Sequence, residues 1–139
     1  MIRVATIEDM TEIISMGKAF IESLDFPVPH DINDIAQTIY ELLINPDAVI
    51  FIGEGGMVGG ELQPYYLKRD IKLVSERFWW VDPDKRKGGL GGKLREAFED
   101  WARANGATLG AFMTVGTGGD ESLKSDGYFL TEKIYWRQL

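Results

Sequence analysis

The run Val81-Asp82-Pro83-Asp84-Lys85-Arg86-Lys87-Gly88-Gly89-Leu90-Gly91-Gly92-Lys93-Leu94 constrains this chain more than any other stretch. It opens at the end of an apolar, aromatic segment, Phe78-Trp79-Trp80-Val81. Pro83 stops that segment by fixing its own φ and removing a ladder donor. Three cations follow, then four glycines within five residues, then a helical pattern that runs to Asn105. A strand, a glycine-rich turn and a helix N-terminus therefore come in immediate succession. Glycines let the turn take positive φ and bring backbone N–H groups close to a ligand. The first helical turn adds unpaired N–H groups and the positive end of its dipole. Such a site holds phosphate.

Charge supports that reading. Between Asp82 and Arg95 five cations (Lys85, Arg86, Lys87, Lys93, Arg95) face two anions, in a chain of net charge −7. A helix start normally prefers acidic residues, which complement its dipole. Cations there make sense if a polyanion supplies the negative charge. The lysines alone would suit a solvated basic turn; four glycines in register with the helix start point to a ligand. Neither common nucleotide motif fits. A Walker A loop would need glycine where Lys87 stands and Ser or Thr where Leu94 stands. A dinucleotide fingerprint beginning Gly89-Leu90-Gly91 meets Leu94 where its third glycine belongs.

The stretch resembles the signature of the GNAT superfamily, the acyl-CoA N-acyltransferases. Their acyl-CoA motif, Gln/Arg-x-x-Gly-x-Gly/Ala, is matched by Arg86, Gly89 and Gly91, preceded by Val81 and Pro83 and followed by Leu94. The resemblance implies that the backbone from Arg86 through Lys87, Gly88, Gly89, Leu90 and Gly91, with Gly92 and Lys93 alongside, binds the CoA diphosphate. It implies a mixed, mostly antiparallel α+β sheet of six or seven strands flanked by helices, with one splayed parallel strand pair. Pantetheine would lie in that gap, bonded to the main chain of Trp79, Trp80 and Val81.

The remaining composition sets bounds. At 139 residues, one domain spanning 1–139 is expected, with enough chain to bury a core unaided. Without cysteine there is no disulfide framework, thiolate nucleophile or Cys-based zinc site, and a cytoplasmic address is compatible. No apolar run approaches the ~20 residues of a membrane span. Acidic balance argues against nucleic acid and suits a cationic partner such as an amine. The expected partner is thus a small-molecule or peptide amine, with no metal, for a monomer or homodimer.

Along the chain, Ile2 to Ala5 reads as a short strand and Thr6 as an N-cap with Asp9 at capping-box spacing. Helical spacing follows from Met10 to Leu24, then a break at Phe26-Pro27-Val28-Pro29, then a second helix capped by Asp31 or Asn33. Family resemblance makes Phe26 and His30, in that break, candidate acceptor contacts; on their own residues, Phe26 also suits packing on the sheet and His30 a solvated turn. Val49–Ile52 and Met57–Leu62 form a hairpin around Gly53–Gly56, with a bulge or close approach at Gly59-Gly60. Pro64–Arg69 is either an acceptor-pocket wall or a longer hairpin.

Lys72–Val81 is the next strand, with Glu76, Phe78 and Trp80 expected on one face. A carboxylate buried among aromatics would titrate near neutrality, as a general base requires. Family members place a glutamate on this strand to deprotonate the amine, which implies that role for Glu76; an ion pair with Arg77 or Arg69 is the structural alternative. Thr108–Val115 should pair in parallel with it, followed by a turn at Gly116–Gly119, a short helix Asp120–Ser125, and a closing antiparallel pair with Trp136 in the core. The family's general-acid tyrosine would fall at Leu123, which cannot donate a proton, and its usual Asn is missing from Gly116–Gly119. Ser122, Ser125 or water is then left to protonate CoA. Together these imply an N-acetyltransferase moving acetyl from acetyl-CoA to a primary amine in a ternary complex. A GNAT-fold module that binds CoA without catalysis is the alternative.

Overall fold

A computed structural model describes residues 1–115 and 118–139. Five strands form one sheet in the order β1-β2-β3-β4-β5. They are β1 (Arg3–Val4), β2 (Ala48–Gly53), β3 (Gly56–Tyr65), β4 (Lys68–Val81) and β5 (Leu109–Ala111). The first four pair antiparallel, and β5 lies parallel to β4. That last pairing needs a crossover, which α3 (Leu90–Ala104) supplies.

Helices α1 (Met10–Glu22) and α2 (Ile32–Ile44) cover one face of the sheet. Their Ile13, Met16, Ile39 and Leu42 pack with Ile50, Ile52, Met57 and Trp80. On the other face Leu94, Phe98 and Ala102 of α3 pack with Val49, Val58, Val74 and Val81. Strand β2 thus feeds both layers by alternation, Val49 one way and Ile50 the other. A 3-10 turn (Ile7–Asp9) precedes α1, where the Asp9 carboxylate accepts from the Thr6 N–H at 2.8 Å. Asp31 caps α2, accepting from the Asn33 N–H at 2.7 Å. The α4 helix (Asp120–Ser125) follows β5.

One irregularity places the site. Gly59 pairs with Phe78 but Gly60 with Glu76, so Arg77 is the extra residue of a β-bulge. Glycines permit it: a Cβ on Gly60 would lie 2.1 Å from the Ser75 carbonyl oxygen, and one on Gly59 would lie 2.5 Å from the Phe78 ring. The bulge also corrects the simple alternation expected for β4. Phe78 and Trp80 join the α1/α2 layer, whereas Val74, at an even position below the bulge, joins the α3 layer.

Two further expectations change, and one alternative left open by the sequence is decided. The sheet has five strands among the described residues, not six or seven. Among the described residues no closing pair forms, and Trp136 is 68% exposed rather than core. The Pro64–Arg69 stretch is part of a longer hairpin, since β3 reaches Tyr65 and β4 starts at Lys68. Of the turn expected at Gly116–Gly119, residues 116 and 117 lie outside the described residues.

Candidate acyl-CoA site

Pairing of β4 with β5 stops at Ser75 and Ala111. Immediately beyond, Glu76 occupies the widening gap, and its Oε2 accepts from the Met113 N–H at 2.9 Å. A side-chain oxygen thereby satisfies an amide that a continuing ladder would have paired. Glu76 is 4% exposed. Burial pushes its carboxyl up to about 7, and the single amide hydrogen bond only partly opposes that shift.

At the end of β4 the chain turns through Pro83–Gly88, a 3-10 segment, to Gly89 at φ 77 and into α3. Several contacts fix the entry. The Asp82 N–H donates to the Gly55 carbonyl at 2.7 Å, and the Trp80 indole N–H donates to Asp82 Oδ1 at 2.8 Å. Arg86 donates from Nε to the Val81 carbonyl at 2.9 Å, with its guanidinium carbon 4.9 Å from the Trp80 ring centre. The Trp79 indole donates to the Gly91 carbonyl at 3.0 Å. These anchors act on carbonyls and on the strand side of the turn. Among the described residues, no side chain hydrogen-bonds an amide between residues 86 and 92. The α3 ladder begins only where the Lys93 N–H reaches the Gly89 carbonyl at 3.2 Å. A Cβ added at Gly88, Gly89 or Gly92 would meet nothing within 4 Å, so that surface is open. Lys85, Lys87 and Lys93 line a depression of about 520 Å³ beside it, with Lys85 also 3.2 Å from Glu54.

The remaining sequence candidates lie elsewhere on these elements. Phe26 and His30 are both exposed on the α1–α2 connection. That connection meets the C-terminal tail, where Gln138 Nε2 donates to the Pro27 carbonyl at 2.6 Å. Ser122 is half-buried on α4, its Oγ accepting from Arg95 Nη2 at 3.4 Å. Leu123 is buried. No group of three or more His, Cys, Asp or Glu among the described residues could hold a metal ion.

Sequence reasoning missed one polar cluster. Arg95 of α3 is 2% exposed and bonds Glu99, Asp126 and Ser122. The Tyr128 hydroxyl donates to Glu99 Oε2 at 2.6 Å. Burial and that carboxylate raise the Tyr128 phenol well above its ordinary value. The i,i+4 spacing of Arg95 and Glu99 was the available signal, and on its own it describes only a surface pair.

No protein-family model and no curated protein sequence matches the chain. Solved structures do. The aminoglycoside antibiotic 6'-N-acetyltransferase of Acinetobacter haemolyticus superposes with a TM-score of 0.78 at 16% identity, covering 100% of this chain and 97% of that one. A Clostridium acetobutylicum protein described as a predicted acetyltransferase, solved with acetyl-CoA, gives 0.81 at 16% identity over 100% and 94%. This is the GNAT acetyltransferase fold. A ribosomal-protein-alanine N-acetyltransferase from Brucella melitensis shares it at a TM-score of 0.73 and 14% identity, over 100% and 99%. In this GNAT fold the parting of β4 and β5, the bulge at Arg77 and the glycine turn all lie along one strand, β4.

Proposed function

We propose that the chain transfers an acetyl group from acetyl-CoA to a primary amine by direct attack within a ternary complex. One observation carries the reading: a carboxyl titrating near neutrality stands where β4 and β5 part, on the strand that leads into a glycine turn whose amides no side chain caps. Those amides, from Arg86 to Gly92, would hold the diphosphate, with Lys87 and Lys93 adding charge. Main-chain groups of Trp79, Trp80 and Val81 would line the pantetheine.

The chemistry asks little beyond positioning and deprotonation, because a thioester is already activated. The amine nitrogen attacks the thioester carbonyl carbon; the carbon–sulfur bond breaks and its electron pair leaves on sulfur. The proton released by nitrogen goes to Glu76, directly or through water. The thiolate takes a proton from solvent, directly or relayed through Ser122, whose hydroxyl regains its proton from water, and a thiolate is a fair leaving group near neutral pH. Phe26 and His30 would face the acceptor.

A CoA-binding module without catalysis is the second reading. It is favoured by a buried, apolar Leu123 at the expected acid position and by the hydrogen bond that ties Ser122 to Arg95.

Calorimetry with acetyl-CoA tests binding. Wild type should bind in the micromolar range, about 8 kcal/mol, and Gly89→Glu should lose nearly all of it. Thiol release with a panel of amines, comparing wild type with Glu76→Gln, then separates the two readings. Binding without release in any amine would leave only the module.

A further inference from the structure

Arg95 is the one basic side chain buried among the described residues. It sits four residues beyond Gly91, one helical turn past the open amides. Its two terminal nitrogens are fully employed: Nη1 lies 3.2 Å from both Glu99 oxygens, and Nη2 donates to Asp126 and to Ser122 Oγ. Its Nε has no partner among the described residues. Removing a guanidinium from water while leaving a donor unpaired is costly, and well-packed apolar residues often serve stability better. The contacts Arg95 makes are informative about what that cost secures. Glu99 is on its own helix, but Ser122 and Asp126 belong to α4 and its C-cap.

A second contact joins the same two elements at the other end of α4. The Trp79 indole donates to the Gly91 carbonyl, and a Cβ on Gly119 would lie 2.9 Å from its Cζ3. The same ring meets Phe112 edge-on at 5.4 Å. Trp79 therefore touches the first turn of α3, the continuation of β5 and the start of α4. These elements surround the point where the β4–β5 ladder ends, at Ser75 and Ala111.

We propose that Arg95 is the positioning residue for the acyl-CoA slot, holding α4 at a fixed separation from the phosphate-binding end of α3 while Trp79 acts as the spacer. The inference rests on the reading of the glycine turn as a CoA diphosphate site. Without Arg95, α4 loses its direct ion pair to α3 and is held by the buried Leu123, by the Gly119 contact and, just beyond its end, by the hydrogen bond from Tyr128 to Glu99, so the slot loses its set width. The diphosphate cradle itself stays intact, because it is built from backbone and from the Asp82, Arg86 and Trp79 anchors.

The test compares acetyl-CoA with ADP, which shares its adenosine and diphosphate but lacks the acylated pantetheine arm and the 3'-phosphate. Calorimetry on wild type, Arg95→Met and Asp126→Asn should give acetyl-CoA affinity about tenfold weaker in Arg95→Met and several-fold weaker in Asp126→Asn. ADP affinity should stay within about twofold in both. Long-range charge would move the two variants in opposite directions, since Arg95→Met removes a cation and Asp126→Asn an anion, so weaker acetyl-CoA binding in both reports the slot. Should Arg95→Met fail to fold, Asp126→Asn decides alone, since Asp126 is half-exposed at 48% of its side chain. Unchanged acetyl-CoA affinity, or equal losses for ADP and acetyl-CoA, overturns the inference. A wild type that binds ADP and acetyl-CoA equally well overturns it too, and one that binds neither overturns the CoA reading beneath it.

Discussion

Glu76 carries two consequences of one burial. Its carboxyl is held up to about 7, with desolvation as the leading cause. As a base it acts only when ionised, so kcat/KM for the amine should climb as pH rises through about 7 and then level off, until other groups titrate. Glu76→Gln should remove that inflection and lower the rate by roughly a hundredfold or more at neutral pH. Stability moves the opposite way. A carboxyl whose folded pKa exceeds its unfolded value favours the fold fully below the unfolded pKa, here about 4.5. That contribution is lost as pH rises through about 7. Above that, the ionised buried group costs up to about 3 kcal/mol. Glu76→Gln, which can still accept from the Met113 N–H, should therefore melt higher than wild type at pH 8 and no higher at pH 4. Equal melting temperatures at pH 8 would contradict the burial argument. The residue itself was legible, because an acid among Phe78, Trp79 and Trp80 stands out in any strand. Its surroundings were not, since alternation cannot reveal that Arg77 is the extra residue of a bulge.

Among the elements, the entry to α3 was the most legible, for a physical reason. Proline, cations and glycine each impose a local constraint, and these constraints agree along one segment. The end of β5 was illegible because it depends on Glu76, far away in sequence, taking the Met113 amide in place of a strand neighbour. Two glycines at the α3 entry separate stability from binding. Gly89 sits at φ 77, so Gly89→Ala should cost about 1 kcal/mol of stability through left-handed strain. Gly92 lies inside the helix at a site where a Cβ meets nothing within 4 Å, so Gly92→Ala should stabilise by about 0.5–1 kcal/mol. If the open side of the turn holds the diphosphate, both substitutions weaken acetyl-CoA binding, and Gly92→Ala then yields a more stable protein that binds worse. Calorimetry paired with thermal melts reads both effects. Gly60→Ala is different in kind. Its Cβ would collide with the Ser75 carbonyl oxygen and the Phe98 ring, so the bulge cannot form, and soluble folded protein should be largely lost.

At the scale of the molecule, the individual helices and strands were readable from periodicity and their layering from the family resemblance, whereas the behaviour of the last residues was readable from neither. Tyr128-Phe129-Leu130 and Ile134-Tyr135-Trp136 have strand-forming composition, but composition registers what a segment could pair with, not whether a partner edge is within reach. In the structure Phe129, Tyr135 and Trp136 are 81%, 86% and 68% exposed. The chain is instead tied down just before them, where Tyr128 bonds Glu99 and Asp126 bonds Arg95. From Thr131 onward every residue is exposed, and the single side-chain hydrogen bond described there runs from Gln138 to the Pro27 carbonyl. Area removed from water is what stabilises a fold, and this segment removes little. Deleting residues 131–139 should therefore shift the melting temperature by no more than about 3 °C. Ending the chain at Gly119 should cost far more, because it strips Leu123 from the core and leaves buried Arg95 without Asp126. The two truncations, melted side by side, locate the true boundary of the fold. A drop of 10 °C or more from the shorter deletion would mean that the aromatic tail packs against the sheet after all.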